Sequence, residues 1–127
     1  PENLLPLAET GRLQLVETED EPLPGLRMSA TPGHTRGHLS PTLTSQGHSV
    51  VFLGDLCPST HHLRALWCMA YDTHPLETRA NKPLVLGRAA DEGWLVVWDH
   101  DPRTPVARLA RSDRGEFEVL SASEEVL

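Results

Sequence analysis

The chain has 127 residues, 11 basic and 18 acidic side chains, and a formal net charge of −7 with neutral histidines. That length allows one domain or part of a larger one. The acidic balance excludes nucleic-acid backbone binding as a main function, which needs clustered Lys and Arg. No apolar run approaches the ~18–20 residues of a membrane span.

Pro1-Glu2-Asn3 carries neither a basic signal region nor a transit pattern. Leu4 to Leu7 begins as a short apolar turn. Arg12 to Glu17 alternates as a strand, with Leu13 and Leu15 against Gln14 and Glu17. Glu17 to Pro24 reads as an acidic, proline-bounded loop. Leu26 to Thr31 reads as a strand stopped by Pro32-Gly33, and His34 to His38 as a polar loop. Leu39 to Ser45 and His48 to Leu53 form a hairpin turned by Gln46-Gly47. Val50 to Leu53 is apolar throughout, the pattern of a strand buried on both faces.

Asp55 to Pro75 is irregular, with a short turn near Thr60 to Leu66. Leu76 to Glu92 is a predicted helix, with Leu76, Ala80, Leu84 and Ala89 near one face. Pro83 is poorly suited to a helix interior and is expected to begin a second segment. Gly93 stops the helix. Trp94 to Trp98 is an apolar strand whose two tryptophans share a face and belong to the core. Val106 to Arg111 and Phe117 to Leu120 form a last hairpin. Strands, a helical stretch and further strands predict a layered α/β domain.

Two cysteines, Cys57 and Cys68, are too few for a disulfide scaffold in so short a chain. They read as packing thiols in a reducing, cytoplasmic setting. Lys82 is the one lysine among eleven basic residues.

Seven histidines are many for this length, and their placement carries the chemistry. His34, Asp55 and His100 each fall just past an apolar strand. Loops at strand ends are where α/β proteins place reactive groups. Imidazole and carboxylate are the ligands expected for Zn²⁺, Mn²⁺ or Fe²⁺. Asp55 lies 21 residues beyond His34, and His100 a further 45. Those separations are too long for a zinc finger and suit a site assembled from separate strand ends. His48 is expected at the surface, and His61, His62 and His74 at the surface or a pocket rim. Asp99 and Asp101 flank His100 and either orient it or face solvent.

Thr31-Pro32-Gly33-His34-Thr35-Arg36-Gly37-His38 resembles the Thr-Pro-Gly-His-Thr-x-Gly-His loop of the metallo-β-lactamase fold superfamily. Phe52-Leu53-Gly54-Asp55-Leu56 is similar to its Gly-Asp strand end, and Trp98-Asp99-His100-Asp101-Pro102 to its last histidine motif. Met69-Ala70-Tyr71-Asp72 and Pro75-Leu76-Glu77-Thr78 resemble the branch that includes N-acyl homoserine lactone lactonases. The likeness runs from about Leu5 to Val119, with three motifs in order.

The resemblance implies a metal-dependent hydrolase that opens an ester, lactone, thioester or amide carbonyl of a small-molecule substrate with a metal-bound hydroxide. His34, Asp55 and His100 would be ligands, with Asp55 shared and therefore catalytic. One or two zinc ions would be held, or manganese or iron. His38 would support the site from behind by hydrogen bonding, and Tyr71 would contact substrate. The superfamily's His-x-His-x-Asp-His motif does not occur here; His61-His62 are adjacent instead. The expected architecture is therefore the C-terminal half of an αββα sandwich, a mixed sheet with a flanking helix, spanning residues 1–127. The missing ligands would come from a complementary N-terminal segment. The alternative is a non-catalytic half-domain with an incomplete metal site, acting as a binding module or homo-oligomer.

Overall fold

The computed structural model describes residues 2–120. A short helix α1 (Leu5–Glu9) precedes strands β1 (Glu19–Leu23), β2 (Leu26–Ala30), β3 (Leu39–Ser45) and β4 (His48–Phe52). Two single turns of 3₁₀ helix (Gly54–Leu56, Thr60–His62) lead to helix α2 (Pro75–Asp91). Strands β5 (Leu95–Val97), β6 (Val106–Arg111) and β7 (Phe117–Val119) follow. The seven strands form one sheet in sequence order. Every pairing is antiparallel except β4 with β5, which are parallel and joined through α2. The sheet is thus mixed, with one long helix on one face. No helix among the described residues is long and apolar enough to cross a membrane.

The core lies between α2 and the middle of the sheet. Val51, Val96, Ala107 and Leu109 from three strands meet Leu86 and Ala89 of α2, and Leu53, Cys57, Trp94 and Trp98 close its ends. Strand alternation gives the sheet its two faces. Registers Thr42–Val51 and Val51–Val96 put the buried set toward α2. Leu26, Leu43, Val50 and Leu95, aligned across four strands, look the other way with Phe52 and Val97. Leu43 is 50% and Phe52 39% exposed on that side. The sequence pattern predicts burial of Val50–Leu53 on both faces, whereas only Val51 and Leu53 are buried.

Three further expectations are corrected. Residues 12–17 are not a strand, and Leu15 is 80% exposed. The strand is instead β1, Glu19–Leu23, inside the stretch read as an acidic loop. It is an edge strand with a register shift between Asp20 and Leu23. Charge and proline on an edge block further pairing, so they look loop-like while belonging to the sheet. Pro83 neither breaks nor restarts α2, which runs unbroken from Pro75 to Asp91. Finally, α2 buries Thr78, Lys82, Leu86 and Ala89, while Leu76 and Leu84 are more than two-thirds exposed.

Leu86→Ala is expected to lose about 2–5 kcal/mol of stability, and Leu84→Ala less than about 0.5 kcal/mol. Urea unfolding of the two variants checks which helix face carries the packing; equal losses would contradict the assigned face.

Candidate metal centre

The topology brings the three chemical loops together. β2 and β4 are each antiparallel to β3, and β4 is parallel to β5. All three therefore run the same way, and His34, Asp55 and His100 leave from one edge of the sheet. The Asp55 carboxylate sits between the two imidazoles. Its Oδ2 lies 3.4 Å from His34 Nε2 and its Oδ1 3.5 Å from His100 Nε2. Asp99 Oδ2 approaches the same His100 nitrogen at 3.5 Å. Ligand atoms of Asp55, Asp99 and His100 all fall within 4.8 Å of one another.

These separations fit a metal. Two donors bound at ~2.0–2.2 Å in tetrahedral geometry stand about 3.4 Å apart. Neither imidazole makes a close hydrogen bond to Asp55, and each turns a ring nitrogen toward its own oxygen of the shared carboxylate. Nitrogen and oxygen donors suit zinc, and also manganese or iron.

His34 is held by a carboxylate from far along the chain. Its Nδ1 is 3.0 Å from Asp72 Oδ1, and Thr78 Oγ1 donates to Asp72 Oδ2 at 2.9 Å. The Asp72 side chain is 1% exposed. A buried carboxylate at Nδ1 places the ring proton there and leaves the Nε2 lone pair for a cation. The loop backbone is anchored to the same region. His74 N donates to Gly33 O (2.8 Å), Thr73 Oγ1 to His34 O (2.8 Å) and Asn81 Nδ2 to Pro32 O (2.8 Å). Gly33 has φ +150°, and a Cβ there would stand 2.6 Å from Thr78 Cα. Only glycine lets the loop lie this close to α2.

His38 stands behind the site. Thr31 Oγ1 pairs with its Nδ1 at 2.8 Å and with Ser40 Oγ at 2.9 Å. Its ring is 6.3 Å from that of His34, edge to face. Burial pulls its pKa below 6.5, against the opposing pull of Asp55. Gly54, φ +52°, precedes Asp55, and a Cβ there would meet His38 Nε2 at 2.9 Å.

His100 rests on its own loop. Its N–H donates to Pro58 O at 3.1 Å. Asp101 does not face solvent: it is 7% exposed and accepts from Thr60 N, Thr60 Oγ1, Arg103 N and Thr104 N. Those donors hold its carboxyl well below the usual range. Of the two flanking acids, Asp99 meets the imidazole and Asp101 fixes the backbone that carries it.

A cleft of about 350 Å³ opens beside His100, lined by Pro58, His62, Met69, Ala70 and Tyr71 among others. Tyr71 is 70% exposed and sets its ring edge-on to His34, 5.9 Å between centroids. His62 belongs to this rim, bonded to Ser59 Oγ at 2.9 Å. Arg36 Nε donates to His74 Nε2 at 3.3 Å, and His48 is exposed. Cys57 is buried and burial pushes its thiol up to about 12, which keeps it a protonated packing group.

Sequence reasoning assigned no role to Asp72. The available signal was its place in Met69-Ala70-Tyr71-Asp72, a stretch already singled out by resemblance; its buried contact with His34 lies 38 residues away.

No protein-family model matches the chain, and comparison with curated proteins finds no match. Solved structures do match. A probable metal-dependent hydrolase from Staphylococcus aureus is 29% identical with a TM-score of 0.74, over 90% of this chain and 42% of its own. The hydrolase AbOPH of the β-lactamase superfamily is 23% identical with a TM-score of 0.79, over 94% of this chain and 42% of its own. AidC, a dizinc quorum-quenching lactonase, is 22% identical with a TM-score of 0.77, over 96% and 42% respectively. The chain has the fold of part of the metallo-β-lactamase superfamily hydrolases, and it spans about 42% of the length of these three.

With a divalent metal added, Asp72→Asn should bind it roughly 10–100-fold more weakly than the parent with the fold intact, as read by competition with a chromophoric chelator. For His38 the lowered pKa means that the unfolded chain takes up its proton first. Stability is therefore complete above pH 6.5 and declines as the pH falls through that value. Urea midpoints at about pH 7 and about pH 5 should converge in His38→Gln relative to the parent.

Proposed function

We propose that this chain is the C-terminal half of a metal-dependent hydrolase, opening an ester, lactone, thioester or amide carbonyl of a small-molecule substrate. One observation carries the reading: the Asp55 carboxylate lies between the Nε2 atoms of His34 and His100 at metal-ligand spacing. His34, Asp55 and His100 would hold one or two zinc ions, with manganese or iron as substitutes. A bound ion of this kind supplies Lewis acidity and a water that ionises near neutral pH.

The residues of the chain divide the remaining work. Asp72 retains the proton on His34 Nδ1, so that Nε2 stays a donor. Asp55, with one oxygen toward each imidazole, is placed to be shared between two positions. The His38–Thr31–Ser40 hydrogen bonds stiffen the wall behind Asp55. Tyr71 lines the cleft, and its hydroxyl would donate to a substrate carbonyl oxygen. Lactones are the favoured substrates on the likeness around Tyr71 and Asp72, and AidC, a dizinc lactonase, shares the fold. The ligands beyond these three would come from a complementary N-terminal segment.

A second reading rests on the bare sheet face. Leu43, Phe52 and Val106 are 50%, 39% and 38% exposed opposite α2. A patch of this kind marks a contact surface. Under this reading the chain is a non-catalytic module that pairs with a second copy or with the complementary segment.

Metal analysis of the full chain, with hydrolysis of an N-acyl homoserine lactone and a nitrophenyl ester, separates the two. The hydrolase reading expects bound zinc, turnover abolished by a chelator and restored by zinc, and loss of roughly a thousandfold in kcat/KM for Asp55→Ala. A metal-free, inert dimer would overturn it in favour of the module.

A further inference from the structure

The chain's single lysine is the largest fully buried side chain among the described residues. Lys82 lies on the inner face of α2 with 0% exposure. Its Nζ donates to Arg64 O at 2.8 Å and to Trp67 O at 2.5 Å. Among the described residues no carboxylate pairs with it. Burying an ammonium without a counter-charge is costly and needs compensating contacts. Burial pulls its pKa down, with the Asp72 carboxylate among the opposing neighbours.

The two carbonyls identify what is compensated. Between the 3₁₀ turn at Thr60–His62 and the start of α2 at Pro75 the chain has no regular element. The 64–67 turn has one backbone hydrogen bond of its own, Trp67 N to Arg64 O at 3.0 Å. Leu66 and Trp67 point outward, 68% and 51% exposed, so apolar burial does little to hold it. The residues that follow are Cys68, Met69, Ala70 and Tyr71, one wall of the cleft beside His100. Asp72, the anchor of His34, comes next. An aliphatic residue at 82 could fill the same volume but would leave the Trp67 carbonyl without its donor and Arg64 O with the Trp67 amide alone. A long stem ending in several donors serves both at once.

We propose that Lys82 is a positioning residue: its ammonium pins the 64–67 turn and so sets the cleft wall at 68–71 that receives the organic part of the substrate. The substrate half of this proposal rests on the hydrolase reading; the pinning does not. Lys82 touches none of His34, Asp55 or His100, so its effect is on substrate fit and not on the metal donors.

The test uses Lys82→Met, which keeps the stem and removes the donors, and Lys82→Gln, which keeps one donating group. Both are compared with the parent in the full chain by native-state hydrogen exchange and by steady-state hydrolysis. In Lys82→Met, amides of 64–71 should exchange about tenfold faster while those of β4 and β5 keep their rates. KM should rise roughly fivefold with kcat within about twofold, and zinc content should not change. Lys82→Gln should fall between variant and parent. Unchanged 64–71 exchange in folded Lys82→Met overturns the proposal. So does a fall in kcat or zinc content at constant KM, or collapse of the whole fold in both variants. A parent inert toward every ester and lactone overturns the hydrolase reading alone, because the exchange pattern needs no substrate.

Discussion

The contact between His34 and Asp72 organises the whole site. It joins a loop at the end of β2 to the entry of α2 by one hydrogen bond, 3.0 Å long and nearly closed to water. Around it the loop carbonyls of Pro32, Gly33 and His34 all find donors in residues 73–81. Sheet and helix are thereby locked at the point where the imidazole must be aimed. Shielding from water makes such a bond stronger and its loss more costly than at the surface. With the His34 ring fixed, the direction of its free nitrogen toward Asp55 is decided before any cation arrives.

The site was legible in the sequence to the extent that strand ends are legible. Val50–Leu53 and Leu95–Trp98 are apolar runs with a polar residue just beyond, and two of the three ligating candidates follow directly from that pattern. The shared direction of β2, β4 and β5 then turns sequence neighbours of strands into spatial neighbours. Asp72 was opaque because no local pattern links it to a histidine so far upstream. Lys82 was opaque for a different reason. Charged side chains are almost never fully buried, and a lone lysine in a helix is read as solvated. Its burial depends on two carbonyls in a segment without periodicity.

The fold's misread parts share a cause. β1 is built from Glu19, Asp20, Glu21 and Pro22, residues disfavoured in strands. It exists because β2 offers it an edge and because those same residues stop a further strand from adding. Tertiary context likewise carries α2 past Pro83. The helix is covered by Leu86 and Ala89 against the sheet, so the lost backbone bond is outweighed locally. The face expected to be apolar, with Leu76 and Leu84, points outward because the helix is rotated to bring Thr78 to Asp72 and Lys82 to the 64–67 turn. Polar anchoring by Thr78 and Lys82 and apolar packing of Leu86 and Ala89 select the same face.

The buried carboxylate of Asp101 binds two separate stretches of chain into one piece. Through it the loop bearing His100 and the turn at Thr60 share a support, and the His100 amide rests on Pro58, itself a lining residue of the cleft. Whatever fills the cleft thus leans on the same backbone strut that aims the imidazole. A molecule in that cleft would touch the stretch of chain on which the ring is mounted.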